Sequence, residues 1–207
     1  MIKYIVNEVP PLGANCYTVY DDNTKNCLII DLGGDFLKII GQINSLGLRL
    51  KGVLLTHAHF DHALGVKPCK EHGIPVYISK EDQVLLQSSG NLSSAFGFGE
   101  FFYTADCILT EGKTQIGGID LTVIKTAGHT AGSVCFLIED KLFSGDTLFC
   151  SSYGRYDLPS GNFEELKNSI LNKLFALDGK TQVLPGHGGT TTIERERKYN
   201  PINDYNY

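Results

Sequence analysis

The densest group of chemically active side chains is the segment THAHFDHALG, residues 56–65. It holds three of the six histidines of the chain, His57, His59 and His62, together with Asp61. Imidazole nitrogen and carboxylate oxygen are ligands of zinc, iron and manganese, and each ion needs three or more ligands in fixed directions. The segment therefore predicts part of a metal site.

Further candidate ligands lie in three glycine-containing loops. TAGHTAG contains His129, FSGDTLF contains Asp146 and LPGHGG contains His187. Each loop follows an apolar stretch, and the glycine before the polar residue allows the backbone to bend tightly next to an ion. One metal site then accounts for five of the six histidines. The sixth, His72, stands before Gly73 at the end of a predicted helix, where we assign it a structural role.

The elements that position these loops alternate between strands and helices. Apolar runs predict strands at IKYIVNEV, NCYTVYDD, NCLIIDLGG and KGVLLTH, so that His57 lies at the carboxyl end of a strand. Apolar residues every three positions predict a helix over FLKIIGQINSLG. After the cluster, HALGVKPCKEHG indicates a helix weakened by Pro68, and IPVYIS with KEDQVLLQS indicates a strand and a helix capped by Ser79.

The second half repeats this order. Residues 88–105 have no clean period and are interpreted as a loop or lid, four strands follow, and FEELKNSILNKLFALDG predicts a helix. The run ERERK, residues 194–198, is expected to form a solvated face of a short helix that Pro201 ends. Two mixed halves of this kind predict one α/β domain over residues 1–207, a four-layer αββα sandwich of two mixed β-sheets flanked by helices.

Composition excludes several classes of protein. With 42% hydrophobic and 20% charged residues the chain is expected to be globular, and a net charge of −5 gives no basic surface for nucleic acid. Its apolar runs are shorter than the roughly 18 residues of a membrane span. Without a secretory signal we expect a cytoplasmic protein, with the six cysteines as reduced and buried thiols, Cys150 included.

The pattern H-x-H-x-D-H, followed by separate His, Asp and His loops, resembles that of the metallo-β-lactamase superfamily of metallohydrolases. GRYDLPSGN at 154–162 and TTIERERKYNP at 191–201 are similar to segments of its small glyoxalase II-like branch, the bacterial hydroxyacylglutathione hydrolase-like proteins. The resemblance covers nearly the whole chain and implies the metallo-β-lactamase fold.

Carried over position by position, the resemblance implies a binuclear metal site. Two divalent ions are expected, zinc in the first place, with iron or manganese as alternatives. The implied ligands are His57, His59 and His129 for one ion, Asp61, His62 and His187 for the other, and Asp146 as the bridge. Water bound to such ions, whose pKa falls from about 15.7 to near 7, attacks an ester-like carbonyl as hydroxide. Asp61 is the expected catalytic group, as ligand and as the carboxylate that orients the nucleophile.

The resemblance also suggests substrate contacts and a reaction. Asn15, Tyr153 and Arg155 are candidate substrate-binding residues, and Arg155 is equally compatible with a structural ion pair. The phenylalanines of 96–102 are candidates for a pocket, although aromatic residues are more often core. The expected substrate is a small thioester or ester of the S-lactoylglutathione type. Full-length glyoxalase II enzymes add a C-terminal helical extension that contacts glutathione, so the metal chemistry is implied more directly than glutathione recognition.

Alternatives remain open at this point. A persulfide dioxygenase of the same fold needs one iron, for which His57, His129 and Asp146 suffice, and a lactonase or a non-catalytic metal sensor uses related sites. The complete second ligand set argues against the dioxygenase, and Asp61 argues against the sensor. An antibiotic-hydrolysing enzyme is less expected, because that branch often has cysteine at the position of Asp146. A nuclease is disfavoured by the acidic charge, and the sequence carries no signal for an oligomeric state.

Overall fold

The computed structural model describes residues 1–205 and contains two six-stranded sheets. The first sheet has its strands in chain order, and only its first three strands are antiparallel. Its members are β1 (Ile2–Val9), β2 (Ala14–Asp21), β3 (Asn26–Ile30), β4 (Arg49–Leu54), β5 (Val76–Ser79) and β6 (Cys107–Leu109).

The second sheet is antiparallel except for one parallel pair, β10 (Lys141–Gly145) with β13 (Gln182–Pro185). In sheet order β14-β13-β10-β9-β8-β7 its strands are β14 (Thr191–Thr192), β13 (Gln182–Pro185), β10 (Lys141–Gly145), β9 (Val134–Ile138), β8 (Ile119–Lys125) and β7 (Gly112–Ile116). A small separate hairpin joins β11 (Leu148–Phe149) to β12 (Ser152–Tyr153).

Five α-helices accompany these sheets within residues 1–205. They are α1 (Phe36–Ser45), α2 (Phe60–Ala63), α3 (Lys80–Leu86), α4 (Phe163–Asn168) and α5 (Ile193–Tyr199). A π-helical segment, Ser169–Leu174, extends α4, and 3₁₀ turns occupy Leu64–Cys69, Ser89–Asn91 and Pro201–Tyr205. None of these helices is long and apolar enough to cross a membrane.

Period-two alternation builds three layers of core. In β3, Leu28 and Ile30 face the second sheet, whereas Cys27 and Ile29 face α1. Both faces of this strand are buried, which explains its unbroken apolar run. On the far side of the second sheet, α4 and its extension pack a third apolar cluster around Leu166. The αββα sandwich predicted from the sequence is therefore confirmed.

Of two local predictions from the sequence, a helix cap is confirmed and a helix is wrong. Ser79 caps α3 as predicted, since its hydroxyl accepts the Asp82 N–H at 3.2 Å. The single helix expected after the histidine cluster is wrong: a four-residue α-helix gives way to a 3₁₀ turn. Gly65 N–H donates instead to the carbonyl of Leu32 at 2.9 Å, and Pro68 has no N–H to donate.

Two predictions of exposure are also wrong. Glu196, expected on a solvated face, is fully buried, because Thr191, Arg195 and Asn200 side chains and the Ser151 N–H surround its carboxylate. Cys150, expected to be a buried thiol, is exposed; its sulfur lies 3.5 Å from an Arg195 nitrogen. Four of the remaining cysteines are buried and Cys107 is half-buried.

The packing of the sandwich predicts that two leucines contribute very differently to the free energy of unfolding. Leu54 is fully buried between the sheets, whereas Leu37 on α1 is 80% exposed. We expect Leu54→Ala to lower the free energy of unfolding by about 2–5 kcal/mol, because a cavity remains between the sheets. The matched variant Leu37→Ala should change it by no more than about 0.5 kcal/mol. Urea unfolding followed by circular dichroism measures both, and equal losses would contradict the assignment of the core.

Candidate metal centre

All seven candidate ligands converge at the carboxyl ends of strands. The loop with His57 follows β4, and those with His129, Asp146 and His187 follow β8, β10 and β13. The sheets are joined beside the site, because the Val134 N–H of β9 donates to the Thr56 carbonyl at 2.9 Å. Loops from opposite sheets therefore face each other across one buried centre.

The first ligand set consists of His57, His59 and His129. One ring nitrogen of each lies within 4.8 Å of those of the other two, and all three residues are buried. His59 Nδ1 and His129 Nε2 are 2.9 Å apart. These nitrogens surround a space of the size that one ion needs.

The second ligand set consists of Asp61, His62 and His187. His187 Nε2 lies 3.2 Å from Asp61 Oδ2 and 3.3 Å from His62 Nε2. The short helix α2 presents Asp61 and His62 from its first turn. His187 is the most open of the ligands, with 30% of its side chain exposed. The second set therefore lies at the solvent side of the centre.

Asp146 stands between the two sets. Its Oδ1 is 3.3 Å from His62 Nε2, and its Oδ2 is 3.8 Å from both His129 Nε2 and His187 Nε2. One carboxylate thus approaches ligands of both sets, which is the geometry that a bridging ligand requires.

Outer contacts determine which nitrogen of two rings faces inward. His129 Nδ1 lies 2.7 Å from the Arg155 carbonyl, and His62 Nδ1 lies 3.0 Å from Asp31 Oδ2. Both oxygens are acceptors, so each Nδ1 carries the proton. In the neutral rings, Nε2 then presents its lone pair to the centre.

In His57, too, Nδ1 carries the proton, as a chain of two contacts shows. Thr56 Oγ1 is 2.7 Å from Asp31 Oδ2 and must donate its only hydrogen there. Its oxygen therefore accepts from His57 Nδ1 at 3.0 Å, and His57 Nε2 is left as a lone pair. Within residues 1–205 that buried Nε2 has no hydrogen-bond partner. Unpaired buried acceptors of this kind fit a divalent cation.

The two ligand sets differ in the charge that their histidines favour. Burial lowers the pKa of His57 and His129, and that of His59 to about 3, so the first set consists of neutral imidazoles. Burial also opposes a charge on His62, but the carboxylates of Asp146, Asp61 and Asp31 outweigh it and raise its pKa well above the usual range. The second set therefore requires a positive charge, from protons or from a metal ion.

Glycine permits the close approach of the loops. A Cβ on Gly186 would collide with Asp146 Oδ1 and lie 2.8 Å from His62 Cε1. A Cβ on Gly154 would collide with the Asp146 carbonyl. The glycine of LPGHGG that precedes His187 is therefore required by contact with the other ligands rather than by its own backbone angle.

The three candidate substrate contacts have different surroundings. Asn15 is buried, and its amide donates to the carbonyls of Pro185 and Gly188, each at 2.9 Å, so it holds the His187 loop. The exposed Arg155 guanidinium makes two 2.9 Å hydrogen bonds to Asp157.

The third candidate, Tyr153, is half-buried. Its ring packs against Phe163 with a centroid distance of 6.3 Å. The structure thus brings Asn15 and the Arg155 backbone to the centre, as supports of ligands, whereas Tyr153 packs toward the third apolar cluster.

Sequence reasoning missed Asp31 and Thr56. Asp31 is buried, has a positive φ of 58° and accepts hydrogen bonds from the Thr56 N–H and hydroxyl as well as facing His62. The available signal was its place directly after the apolar run CLII, at the same sheet edge as the histidine loop. His72, by contrast, lies at the surface with Nδ1 2.9 Å from the Pro68 carbonyl, in keeping with a structural role.

Comparison with known proteins places this architecture in context. The sequence model of the metallo-β-lactamase superfamily matches residues 9–187 of this chain. Hydroxyacylglutathione hydrolase GloC of Haemophilus influenzae is 36% identical over 205 residues, which cover 94% of this chain and 96% of that protein.

Two solved structures superpose closely on this chain. The BLEG-1 B3 metallo-β-lactamase superposes with a TM-score of 0.89 at 38% identity, covering 98% of this chain and 99% of its own. TTHA1623, in a di-iron-bound form, superposes with a TM-score of 0.86 at 34% identity, covering 96% and 99%.

The contrast in pKa predicts stepwise loss of metal on acidification. Protons already compete for the second set: burial lowers the pKa of His187, but the hydrogen bond to Asp61 and the charges of Asp146 and Asp61 together outweigh it and raise that pKa. As the pH falls, we expect zinc content after dialysis to drop first from two ions per chain to one and only at lower pH to zero. His59→Ala should remove the step at lower pH. Loss of both ions in one step would contradict the distinction between the sets.

Gly186→Ala tests the packing of the ligands. Its methyl group would displace Asp146 or His62, so we expect zinc affinity to fall about 10-fold or more, as when supports of a ligand are disturbed. Gly189→Ala, in the same loop, is the matched control because a Cβ there meets no atom of residues 1–205 within 4 Å. Isothermal titration with zinc measures both variants, and equal affinities would disprove the close contact.

Proposed function

The chain belongs to the metallo-β-lactamase superfamily, and we propose that it is a metal-dependent hydrolase that cleaves small thioesters of the S-lactoylglutathione type. The observation that carries the proposal is the pair of complete ligand sets with Asp146 between them. The similarity to GloC over nearly the full length of both chains supports the choice of a thioester substrate.

In this proposal the centre holds two divalent ions. His57, His59 and His129 would hold one, Asp61, His62 and His187 would hold the other, and Asp146 would be a ligand shared by the two. Zinc fits the imidazole-rich first set, and iron fits equally, as the di-iron form of TTHA1623 illustrates for that protein. Because both sheets supply ligands, residues 1–207 act as one domain.

Bound ions supply Lewis-acid polarisation of the substrate carbonyl and make water acidic enough to act as the nucleophile near neutral pH. The residues of the chain hold and orient the reactants. Asp61 lies at the solvent side of the centre beside the half-exposed His187, where it can orient the attacking water. Water forms the new C–O bond, the C–S bond breaks, and the thiol leaves with one proton of the water.

Activity on S-lactoylglutathione is the direct test. Purified protein loaded with zinc or iron should release thiol, and Asp61→Asn should lower kcat by about 100-fold or more, because the oriented carboxylate is lost. Asp22→Asn is the matched control, since that carboxylate is half-exposed and contacts only Lys3 and Lys25 among the charged side chains within residues 1–205. No thiol release by metal-loaded protein would refute the proposed substrate.

A second candidate, β-lactam hydrolysis, is favoured by the 38% identity to the BLEG-1 B3 metallo-β-lactamase. A chromogenic cephalosporin assayed beside the thioester separates the two, because the preferred substrate is the one with the higher kcat/KM. A lactone and glutathione persulfide, the latter with oxygen uptake as readout, extend the comparison to a lactonase and to a mononuclear-iron dioxygenase. Oxygen uptake with one iron per chain would replace the hydrolase proposal.

A further inference from the structure

One carboxylate outside the two ligand sets forms hydrogen bonds to two of the loops that carry candidate metal ligands. Asp82, in the first turn of α3, is 1% exposed. Its Oδ2 accepts hydrogen bonds from the Ala58 N–H and the Thr130 hydroxyl, and its Oδ1 accepts from the Gly132 N–H, all at 2.8 Å. Three donors from two loops thus converge on one buried side chain.

The positions of these donors matter more than their number. Ala58 lies between the ligands His57 and His59, on the loop that follows β4. Thr130 and Gly132 lie next to the ligand His129 in sequence and two residues beyond that, respectively, on the loop that follows β8 in the other sheet. Asp82 therefore connects both loops that contribute to the first ligand set.

Gly132 is shaped to receive this carboxylate. A Cβ at that position would lie 2.5 Å from both the amide nitrogen and Oδ1 of Asp82, and it would collide with Ser79 Oγ. The last glycine of TAGHTAG is thus explained by the approach of α3. The turn itself is closed by Ser133, whose hydroxyl accepts the Thr130 N–H at 3.1 Å.

Burial of Asp82 is unfavourable unless these bonds are made. Burial raises the pKa of its carboxyl to about 6, against the opposing effect of the Thr130, Ala58 and Gly132 donors. An apolar side chain would fill the same space without that desolvation, but it would leave the two N–H groups unpaired.

We propose that Asp82 is a positioning residue that fixes His57 and His59 relative to His129 and thereby sets the affinity of the first metal site. This inference rests on the proposed metal centre. It assigns no contact between Asp82 and the ion or the substrate. Within residues 1–205 the Asp82 carboxylate accepts hydrogen bonds from Ala58, Thr130 and Gly132 and from no member of the second ligand set, so the proposal expects the affinity of that set to stay unchanged.

Asp82→Asn tests the proposal in two single-site backgrounds. Asparagine keeps the shape, but its NH₂ group would face an N–H or hydroxyl donor. In His187→Ala protein, which retains the first set, we expect zinc affinity to fall about 10- to 100-fold, as for other groups that orient ligands. In His59→Ala protein, which retains the second set, affinity should not change. Competition with a chromophoric chelator measures zinc binding without any assay of activity.

Two further variants separate positioning from general destabilisation. Ile39→Ala, in the buried face of α1, should lower stability while leaving zinc affinity unchanged. Thr130→Val removes one of the three bonds and should weaken zinc binding in the His187→Ala background, whereas Thr130→Ser keeps the hydroxyl and should restore it. This pair decides the question even if Asp82→Asn fails to fold.

The failures of the two proposals are distinguishable. Protein of natural sequence that binds no divalent metal overturns the proposed metal centre, and the role of Asp82 with it. Natural protein that binds zinc, combined with equal losses in both backgrounds or no loss in either, overturns the role of Asp82 alone. A loss confined to the His187→Ala background supports it.

Discussion

The structure depends on one electrostatic constraint, the convergence of lone pairs and negative charges at the place where two sheets meet. The buried carboxylates of Asp31 and Asp61 and the half-buried carboxylate of Asp146 lie around His62, and their combined field requires a compensating positive charge. The sandwich supplies the low-dielectric surroundings that make this requirement strong. In the part of the chain that the structure describes, the neighbouring His57 Nε2 has no hydrogen-bond partner, and a cation would supply one.

The surrounding residues convert this convergence into defined geometry. One backbone carbonyl, one threonine hydroxyl and one carboxylate hold the outer nitrogens of three rings, so the inner nitrogens face the centre without rearrangement. Asn15 does the same for the backbone on both sides of His187. The fold thus bears the entropic cost of ordering the ligands, and binding of an ion need not order them again.

The fold and the ligand convergence were predictable because both follow from local rules: period-two apolar runs, and polar residues beside glycine at strand ends. What was missed depends on partners distant in sequence. Glu196 looked solvated inside a charged run, yet Ser151, Thr191 and Asn200 bury it. Asp82 looked like an ordinary residue of a helix start, and only the tertiary structure brings Ala58 and Gly132 to it. No rule of residue spacing predicts contacts between residues so far apart in sequence.

The ligands extend from residue 57 to residue 187, so the centre closes only when segments far apart in sequence have come together. Loop-closure entropy disfavours such contacts early in folding. Metal capture is consequently a late event during biogenesis, and a partly translated chain holds an incomplete chelator. The complete set of ligands therefore exists only after residue 187 has been translated and has reached the other ligands.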